Sequence, residues 1–161
     1  MPPSQRSIVV IHPGGLGDVL LSLGALAAMR ASSPHHEIVL LAGLEVGYLL
    51  GQCGVIDHLW SIESGRLGAL FAGKEQLSDE QLGVFRRCDL VVGWLSDQTG
   101  SLRRTVQELG IPRVILRSPA STEGPHQSDR FLQTLQGEFP TDVQAPLRIY
   151  LSEQALQSGT D

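Results

Sequence analysis

A short glycine-rich loop and the acidic residue that follows it are the part of the sequence best suited to chemistry. The loop lies in the stretch Ile11–Arg30, which reads IHPGGLGDVLLSLGALAAMR. Its glycines let the backbone approach a ligand closely, because no Cβ stands in the way; they are Gly14, Gly15 and Gly17. Asp18 follows in the first turn of a predicted helix, whose free N–H groups and positive end point at the same place. A loop of this kind at a helix N-terminus could bind an anion or a nucleotide.

Two common phosphate-binding loops fit this stretch poorly. A Walker loop is excluded because the Lys-Ser/Thr step is missing. A dinucleotide-binding fingerprint needs G-x-G-x-x-G, and Leu20 stands where its third glycine should be. Asp18 also has a simpler explanation, since an acidic residue in the first turn stabilises a helix by roughly 0.3–1 kcal/mol.

The elements that would position this loop alternate along the chain. Apolar runs predict five strands: Ser7–Ile11, Glu37–Leu41, Asp57–Ile62 (near an edge), Asp89–Leu95 and Arg113–Leu116. Helical patterns predict helices at Leu16–Ala31, Glu45–Gln52, Ser78–Arg87 (with a Ser78/Gln81 capping box), Gln98–Leu109 and His126–Phe139. Gly65–Gly73 is expected to form a short apolar helix or a lid. Strands that are apolar on both faces and joined by helices predict a Rossmann-like α/β fold, a parallel sheet with helices on both faces. Ligands of such sheets bind beyond the carboxyl ends of the strands, which again points to the glycine loop.

Length and composition exclude several classes of protein. The 161 residues correspond to one ordinary domain. With 12 Lys and Arg residues, 17 Asp and Glu residues and a net charge of −5, the chain is not expected to bind nucleic acid through phosphate contacts. The longest apolar stretch, Val19–Met29, is too short to span a bilayer. Cys53 and Cys88 are predicted to be small hydrophobic residues of a reduced, cytoplasmic protein.

The loop and its helix resemble the opening of the glycosyltransferase family 9 enzymes, the lipopolysaccharide heptosyltransferases. Those enzymes begin with a β-run followed by the pattern R/H-P-G-x-L-G-D-x-L-L-x-L-P-A-L. The residues that fit it are Pro13, Gly14, Leu16, Gly17, Asp18, Leu20, Leu21, Leu23, Ala25 and Leu26, whereas Gly24 replaces the usual Pro. Weaker similarity to the family is found in three further stretches. The first is Cys88–Ile115, in which Gly93 replaces a residue that is often Asp in the family. The others are the H-x-x-x-R pattern of His126 and Arg130 and the closing APLRIYLSEQAL.

The resemblance implies one half of a two-domain GT-B enzyme. Residues 1–145 would form the N-terminal, acceptor-side domain, and residues 146–161 the segment that crosses to an absent donor domain. The donor would be a nucleotide-sugar, ADP-heptose in the best-known members, and the acceptor an acidic glycolipid at the inner membrane surface. The protein would be cytoplasmic or peripheral at the cytoplasmic face of that membrane, and would need no metal or other cofactor. Asp18 matches the proposed general base of an inverting transfer.

The resemblance also suggests residues that bind the acceptor. Arg66 and Arg117 follow the third and fifth predicted strands, where the family has basic residues that hold the acidic groups of the lipid A–Kdo acceptor. Each could equally be an ordinary surface arginine that is exposed to solvent. His12 ends the first strand and is expected to line the site with the loop glycines.

Several other side chains have two interpretations. His126 and Arg130 lie one helical turn apart and could bind an anion or cap and brace the helix. Trp60 and Trp94 could stack on a sugar or belong to the core. His35 and His36 lack partners at the spacing of zinc ligands, so no metal site is predicted. The candidate ligand contacts from the whole sequence are His12, Gly14, Gly15, Gly17, Arg66, Arg117, His126 and Arg130.

Two other functions fit the same residues. The chain could be a stand-alone Rossmann-type module that binds an anion or nucleotide without catalysis, or an interaction domain. Without a donor half, we expect the chain to be inactive as a glycosyltransferase, because that half stabilises the leaving group.

Overall fold

Five parallel strands form a single sheet in the computed structural model, which describes residues 5–51, 53–119 and 124–141. The strands are β1 (Ser7–Ile11), β2 (Glu37–Ala42), β3 (His58–Ser61), β4 (Cys88–Gly93) and β5 (Arg113–Leu116). Their order in the sheet is β3-β2-β1-β4-β5. All five predicted strands are confirmed within a residue or two, and β3 lies at an edge as predicted. The predicted crossing segment, residues 146–161, lies outside the described residues.

Seven helices connect and cover these strands in the described part of the chain. They are α1 (Leu16–Leu21), α2 (Leu23–Ser32), α3 (Leu44–Gly51), α4 (Arg66–Ala72), α5 (Asp79–Phe85), α6 (Ser101–Glu108) and α7 (Gln127–Gln133). Short 3₁₀ turns lie at Ile62–Ser64 and Lys74–Gln76. Each predicted helical segment therefore contains a helix, although several boundaries differ.

The strand side chains alternate between two buried cores. Ile8 and Val10 of β1 pack with the helices α1, α2, α3 and α7 on one face. Val9 and Ile11 pack with α4, α5 and α6 on the other face. Because every residue of β1 is buried, this strand lies in the interior of the sheet, with helices on both sides. The Rossmann-like fold class predicted from the sequence is thus confirmed.

The predicted helix Leu16–Ala31 is wrong in one respect, since it is interrupted at Ser22. The buried Ser22 hydroxyl donates to the carbonyl of Val19 over 2.7 Å. The Ser22 amide is shared between the carbonyls of Asp18 and Val19, at 3.2 and 3.0 Å. A serine hydroxyl competes with the backbone for helical carbonyl groups, so the last turn of α1 tightens before α2 begins.

The helices α6 and α7 are also shorter than predicted. Helix α6 begins at Ser101 rather than Gln98, because the Asp97 carboxylate accepts the amides of Leu102 and Arg103 over 3.2 and 2.9 Å. Helix α7 ends at Gln133 rather than Phe139, and turns follow it. At this end the Thr134 hydroxyl donates to the carbonyl of Phe131 over 2.7 Å. The side chain thus competes with backbone amides for a carbonyl group of the helix, as Ser22 does in α1.

The predicted capping box of α5 is confirmed. Ser78 and Gln81 exchange side-chain and backbone hydrogen bonds of 3.2 and 3.1 Å. Gln81 is buried and also donates through Nε2 to the carbonyl of Arg66 over 3.2 Å. The cap therefore fixes α5 against the start of α4.

Candidate functional site

The glycine loop leaves the sheet where the strand order reverses. The chain runs from β1 to β2 on one side, and it later crosses to β4 on the other side of β1. Ile11 and Gly93 are paired at the carboxyl ends of these neighbouring strands. Open α/β sheets bind ligands in the crevice at this reversal point. The residues that follow the strands, His12 and Trp94, therefore lie at the base of the expected crevice.

His12 is buried beneath the loop. Its Nδ1 accepts the Gly14 amide proton over 3.2 Å, and its ring is enclosed by Trp94 and Phe131, with centroid distances of 5.4 and 5.2 Å. The ring is fully inaccessible to solvent. The structure thus brings His12 to the predicted loop, although its contacts are with the loop backbone and two aromatic rings.

The three loop glycines have different surroundings. A Cβ on Gly14 would lie 2.8 Å from His12 Cε1 and 3.0 Å from Asp18 Cβ, so a side chain there has no room. Gly15 and Gly17 are exposed, and a Cβ on either would meet no other atom within 4 Å. Gly14 therefore serves packing, whereas Gly15 and Gly17 leave the outer side of the loop open.

Asp18 is exposed in the first turn of α1, directly after this loop. Its carboxylate acts electrostatically on the His12 ring. Burial lowers the pKa of His12 below its ordinary value of 6.5, and the Asp18 carboxylate opposes this effect more weakly. The lowered pKa favours the neutral ring at pH 7, and the hydrogen bond from the Gly14 amide assigns the acceptor nitrogen to Nδ1 and the proton to Nε2.

A cleft of about 370 Å³ adjoins the same aromatic rings and contains two predicted arginines. Arg117 follows β5, and its amide donates to the carbonyl of Gly93 over 2.9 Å. Arg130 lies on α7 and donates through Nε to the carbonyl of Pro125 over 3.0 Å. The cleft is lined by Trp94, Arg117, Ser118, Pro119, Pro125, Gln127, Arg130, Phe131, Gln133 and Thr134.

His126 caps helix α7, which is one of its two predicted roles. Its Nδ1 lies 3.3 Å from the Ser128 amide and accepts from it. The same ring nitrogen is 2.8 Å from the Ser128 hydroxyl. Arg130 reaches back to the residue before this cap. The H-x-x-x-R pattern thus braces the start of α7, while Arg130 also lines the cleft.

Arg66 lies far from this cleft. Its guanidinium forms an ion pair with Glu80 over 2.6 Å and lies 5.7 Å from the centre of the Trp60 ring. Because β3 and β5 are opposite edges of the sheet, the segments after them are four strand spacings apart, or roughly 19 Å. The predicted arginines therefore do not converge, since Arg117 and Arg130 share a cleft and Arg66 does not.

Phe131 and Thr134 are among the cleft residues that sequence reasoning did not assign to a site. The Trp94 indole N–H donates to the Thr134 hydroxyl over 2.9 Å, and the Trp94 and Phe131 rings are 4.9 Å apart. The three-residue spacing of Phe131 and Thr134 on one side of α7 was the available signal. Trp94 and Trp60 are both buried, as their core interpretation predicted.

Gly93 is the position where the resembling family often has Asp. A Cβ there would lie 2.6 Å from side-chain atoms of both Leu95 and Leu116. These two leucines occupy the space that a carboxylate would need. The first acidic residue after β4 is Asp97, whose carboxylate accepts the amides of Leu102 and Arg103 at the start of α6.

Other classes of site receive no support. The described residues contain no group of three or more His, Cys, Asp and Glu side chains that could hold a metal ion. Within the same residues, no helix has the length and apolar character needed to cross a membrane. Cys53 is partly buried and Cys88 is buried, both as free thiols, and burial raises the pKa of Cys88 to about 11. The cysteines thus behave as the small hydrophobic residues predicted.

Comparison with known proteins gives similarity at the level of structure. No family profile matches the chain, and no curated protein matches it. A solved glycosyl transferase family 9 protein from Veillonella parvula matches with a TM-score of 0.63 and 19% identity, over 96% of this chain and 48% of that one. The ADP-heptose LPS heptosyltransferase II of E. coli matches with a TM-score of 0.59 and 19% identity, over 92% and 48%. The chain spans about half the length of these proteins. The predicted likeness to glycosyltransferase family 9 is thus confirmed for the fold, which is that of about half of such a protein.

Proposed function

We propose that this chain is the acceptor-side half of an inverting glycosyltransferase. The complete enzyme would transfer a sugar from a nucleotide-sugar, such as ADP-heptose, to an acidic glycolipid at the cytoplasmic face of the inner membrane. The observation that carries the proposal is the exposed Asp18 carboxylate beside an open glycine loop, at the reversal point of the sheet. The half-length structural likeness to two glycosyltransferases supports it.

Asp18 would act as the general base. The acceptor hydroxyl oxygen forms a bond to the anomeric carbon while the bond from that carbon to the nucleoside diphosphate breaks. The hydroxyl proton passes to the Asp18 carboxylate, and the bonding electrons leave with the diphosphate. Gly15 and Gly17 leave the outer side of the loop open to the sugar. The donor and the stabilisation of its diphosphate would come from a second domain.

The cleft with Arg117 and Arg130 would bind the acidic part of the acceptor. Guanidinium groups bind carboxylates with two parallel hydrogen bonds, so this pair suits a Kdo-type sugar acid. Trp94 and Phe131 form an apolar wall of the same cleft and join it to the ring of His12. The acceptor would thus extend from this cleft towards Asp18.

A second candidate function is nucleotide binding without catalysis. The open glycine loop at the reversal point favours it, because Rossmann-type sheets bind dinucleotides there. The two functions predict different ligands for the isolated chain. An acceptor half binds the acidic sugar and not ADP, whereas a nucleotide-binding module does the opposite.

Amide NMR spectra of the 161-residue chain distinguish these ligands. We expect a deacylated, Kdo-bearing core oligosaccharide to shift the amides of Gly14–Asp18 and those around Arg117, and ADP to shift none of them. Shifts with ADP alone would favour the nucleotide-binding module. Self-association or capture of a protein partner without either ligand would favour an interaction domain.

The role of Asp18 is tested in a two-domain form that carries a donor half. Asp18→Asn should reduce the transfer step by roughly 10²–10⁴-fold, the contribution of a general base. Acceptor affinity should change little, since the amide keeps the shape of the carboxylate. Asp79→Asn is a matched control, because Asp79 is also an exposed acidic residue in the first turn of a helix. Normal turnover by the Asp18 variant would remove this residue from the mechanism.

A further inference from the structure

The histidine beneath the glycine loop is not explained by packing. His12 is completely buried between the rings of Trp94 and Phe131. Its Nε2 has no hydrogen-bond partner among the described residues. A phenylalanine would fill similar space without burying a polar nitrogen, which costs free energy when it is left unpaired. The feature that histidine adds is Nδ1, which accepts the Gly14 amide.

The contact continues from His12 through Gly14 to Asp18. The space beside the Gly14 Cα is so narrow that an added Cβ would lie 2.8 Å from His12 Cε1 and 3.0 Å from Asp18 Cβ. The His12 ring, the Gly14 backbone and the base of the Asp18 side chain therefore pack together. The ring thus lies against the start of α1, where Asp18 is located.

We propose that His12 is a positioning residue for Asp18, acting through the hydrogen bond from the Gly14 amide to Nδ1. This assignment rests on the proposed function, because that function gives Asp18 its role; the hydrogen bond between Gly14 and His12 is observed independently of it. In this assignment His12 acts on the loop from below, whereas the sequence predicts that it lines the ligand site. The ring must be neutral with its proton on Nε2, since a protonated Nδ1 cannot accept.

The surroundings of the ring favour this neutral form. Trp94 at the end of β4 and Phe131 on α7 present uncharged rings to it. The Asp18 carboxylate on α1 is the charged side chain that acts on the ring in the described part of the chain. Burial outweighs the Asp18 carboxylate and the backbone groups of Asp18 and His12, which act in the opposite direction, and so lowers the pKa of His12. At pH 7 the acceptor on Nδ1 is consequently available.

The state of the ring can be measured directly in the unmodified chain. We expect the ¹⁵N shifts of His12 at pH 7 to give an unprotonated Nδ1 and a protonated Nε2. We also expect slow exchange of the Gly14 amide. A charged ring, or a proton on Nδ1, would overturn the proposal.

Two isosteric substitutions separate the hydrogen bond from packing. In His12→Asn the side-chain oxygen provides an acceptor at the position of Nδ1. In His12→Leu the side chain has nearly the same shape as asparagine but provides no acceptor. We expect Gly14 amide exchange to be roughly fivefold to tenfold faster in the Leu variant than in the Asn variant, as for loss of one hydrogen bond. In the two-domain form, transfer should be reduced more by Leu than by Asn, with no such difference when Asp18→Asn is also present.

The outcomes separate this proposal from the proposed function. Equal Gly14 exchange in the two variants would overturn the positioning role, because the ring would then act by volume alone. Equal transfer rates in the two variants would also overturn it. If Asp18→Asn had no effect on transfer, the proposed function would fail, while the ¹⁵N shifts would still report the His12–Gly14 bond. If both variants fail to fold, the measurement on the unmodified chain decides.

Discussion

The rings of His12 and Trp94 meet edge to face at the carboxyl ends of the neighbouring strands β1 and β4, with centroids 5.4 Å apart. This contact joins the glycine loop on one strand to the arginine-containing cleft beside the other. The Trp94 ring lines that cleft, and the His12 ring supports Gly14. The two parts of the candidate site therefore share a buried aromatic base, and changes on either side are expected to reach the other.

Gly14→Ala should destabilise the fold, whereas its neighbours should tolerate the same change. The new Cβ would collide with the buried His12 ring, and overpacking of this kind costs about 1–3 kcal/mol. Gly17→Ala is the control, because its Cβ would meet open space and alanine favours a helix by roughly 0.5–1 kcal/mol over glycine. Urea unfolding of the three proteins measures the difference. Equal stabilities would show that the loop has more room than the structure gives it.

Thr134→Val should lower stability because it removes the hydroxyl that accepts from the Trp94 indole. The indole N–H would then be left without its 2.9 Å partner in a partly buried setting. Such an unpaired donor costs about 1–3 kcal/mol. Thr134→Ser keeps the hydroxyl and is the matched control. Thermal or urea unfolding followed by tryptophan fluorescence reports the loss, and a valine variant as stable as the serine variant would argue against this hydrogen bond.

The stability of the fold should decrease as the pH falls below about 6.5. The folded-state pKa of His12 is lowered, so the unfolded chain binds this proton first. The free energy of unfolding then falls until the pH reaches the folded-state pKa, with a slope of at most about 1.4 kcal/mol per pH unit for one proton. Urea titrations between pH 8 and about 5 measure the slope. His12→Asn should flatten this part of the profile, and an unchanged slope would assign it to another group.

Arg117→Gln should weaken binding of the acidic oligosaccharide by roughly tenfold, as for loss of a charge-assisted hydrogen bond. The binding that remains should depend less on salt, because one cation of the cleft has been removed. Arg104→Gln on α6 is the control, since Arg104 is exposed and does not line the cleft. Calorimetry at two salt concentrations measures both effects. Equal affinities of the two variants would place the acceptor elsewhere.

The strands and the glycine loop could be predicted because their signals are local. Ser7–Ile11 is apolar at almost every position, which is typical of a strand buried on both faces. The capping box of Ser78 and Gln81 is a pattern of two residues at fixed spacing, and the structure contains it. The fold class followed from the alternation of such segments.

The helix boundaries depended on side-chain hydrogen bonds that the sequence does not reveal. Ser22 could have pointed to solvent, but its burial turns the hydroxyl onto the helix backbone. Asp97 shortens α6 in a similar way by binding amides five and six residues later. Both effects require the tertiary structure, since they depend on where the side chain has room.

The grouping of the arginines depended on the strand order. Arg66 and Arg117 both follow strands, and the sequence treats them alike. Once β3 and β5 are known to be opposite edges, the two residues must be far apart. Long-range order of this kind is not a property of local patterns, so the sequence could nominate the basic residues without selecting those that share a cleft.

The central position of β1 has a consequence for synthesis of the chain on the ribosome. Ser7–Ile11 emerges before the other four strands and can pair with β2 once Ala42 has left the ribosome, but its other edge must wait for Cys88–Gly93. During that interval an apolar strand edge stays open, and such edges pair readily with other chains. The segment between β3 and β4 sets the length of this exposure. A longer segment between these strands would therefore lengthen the period in which the nascent protein is vulnerable to aggregation.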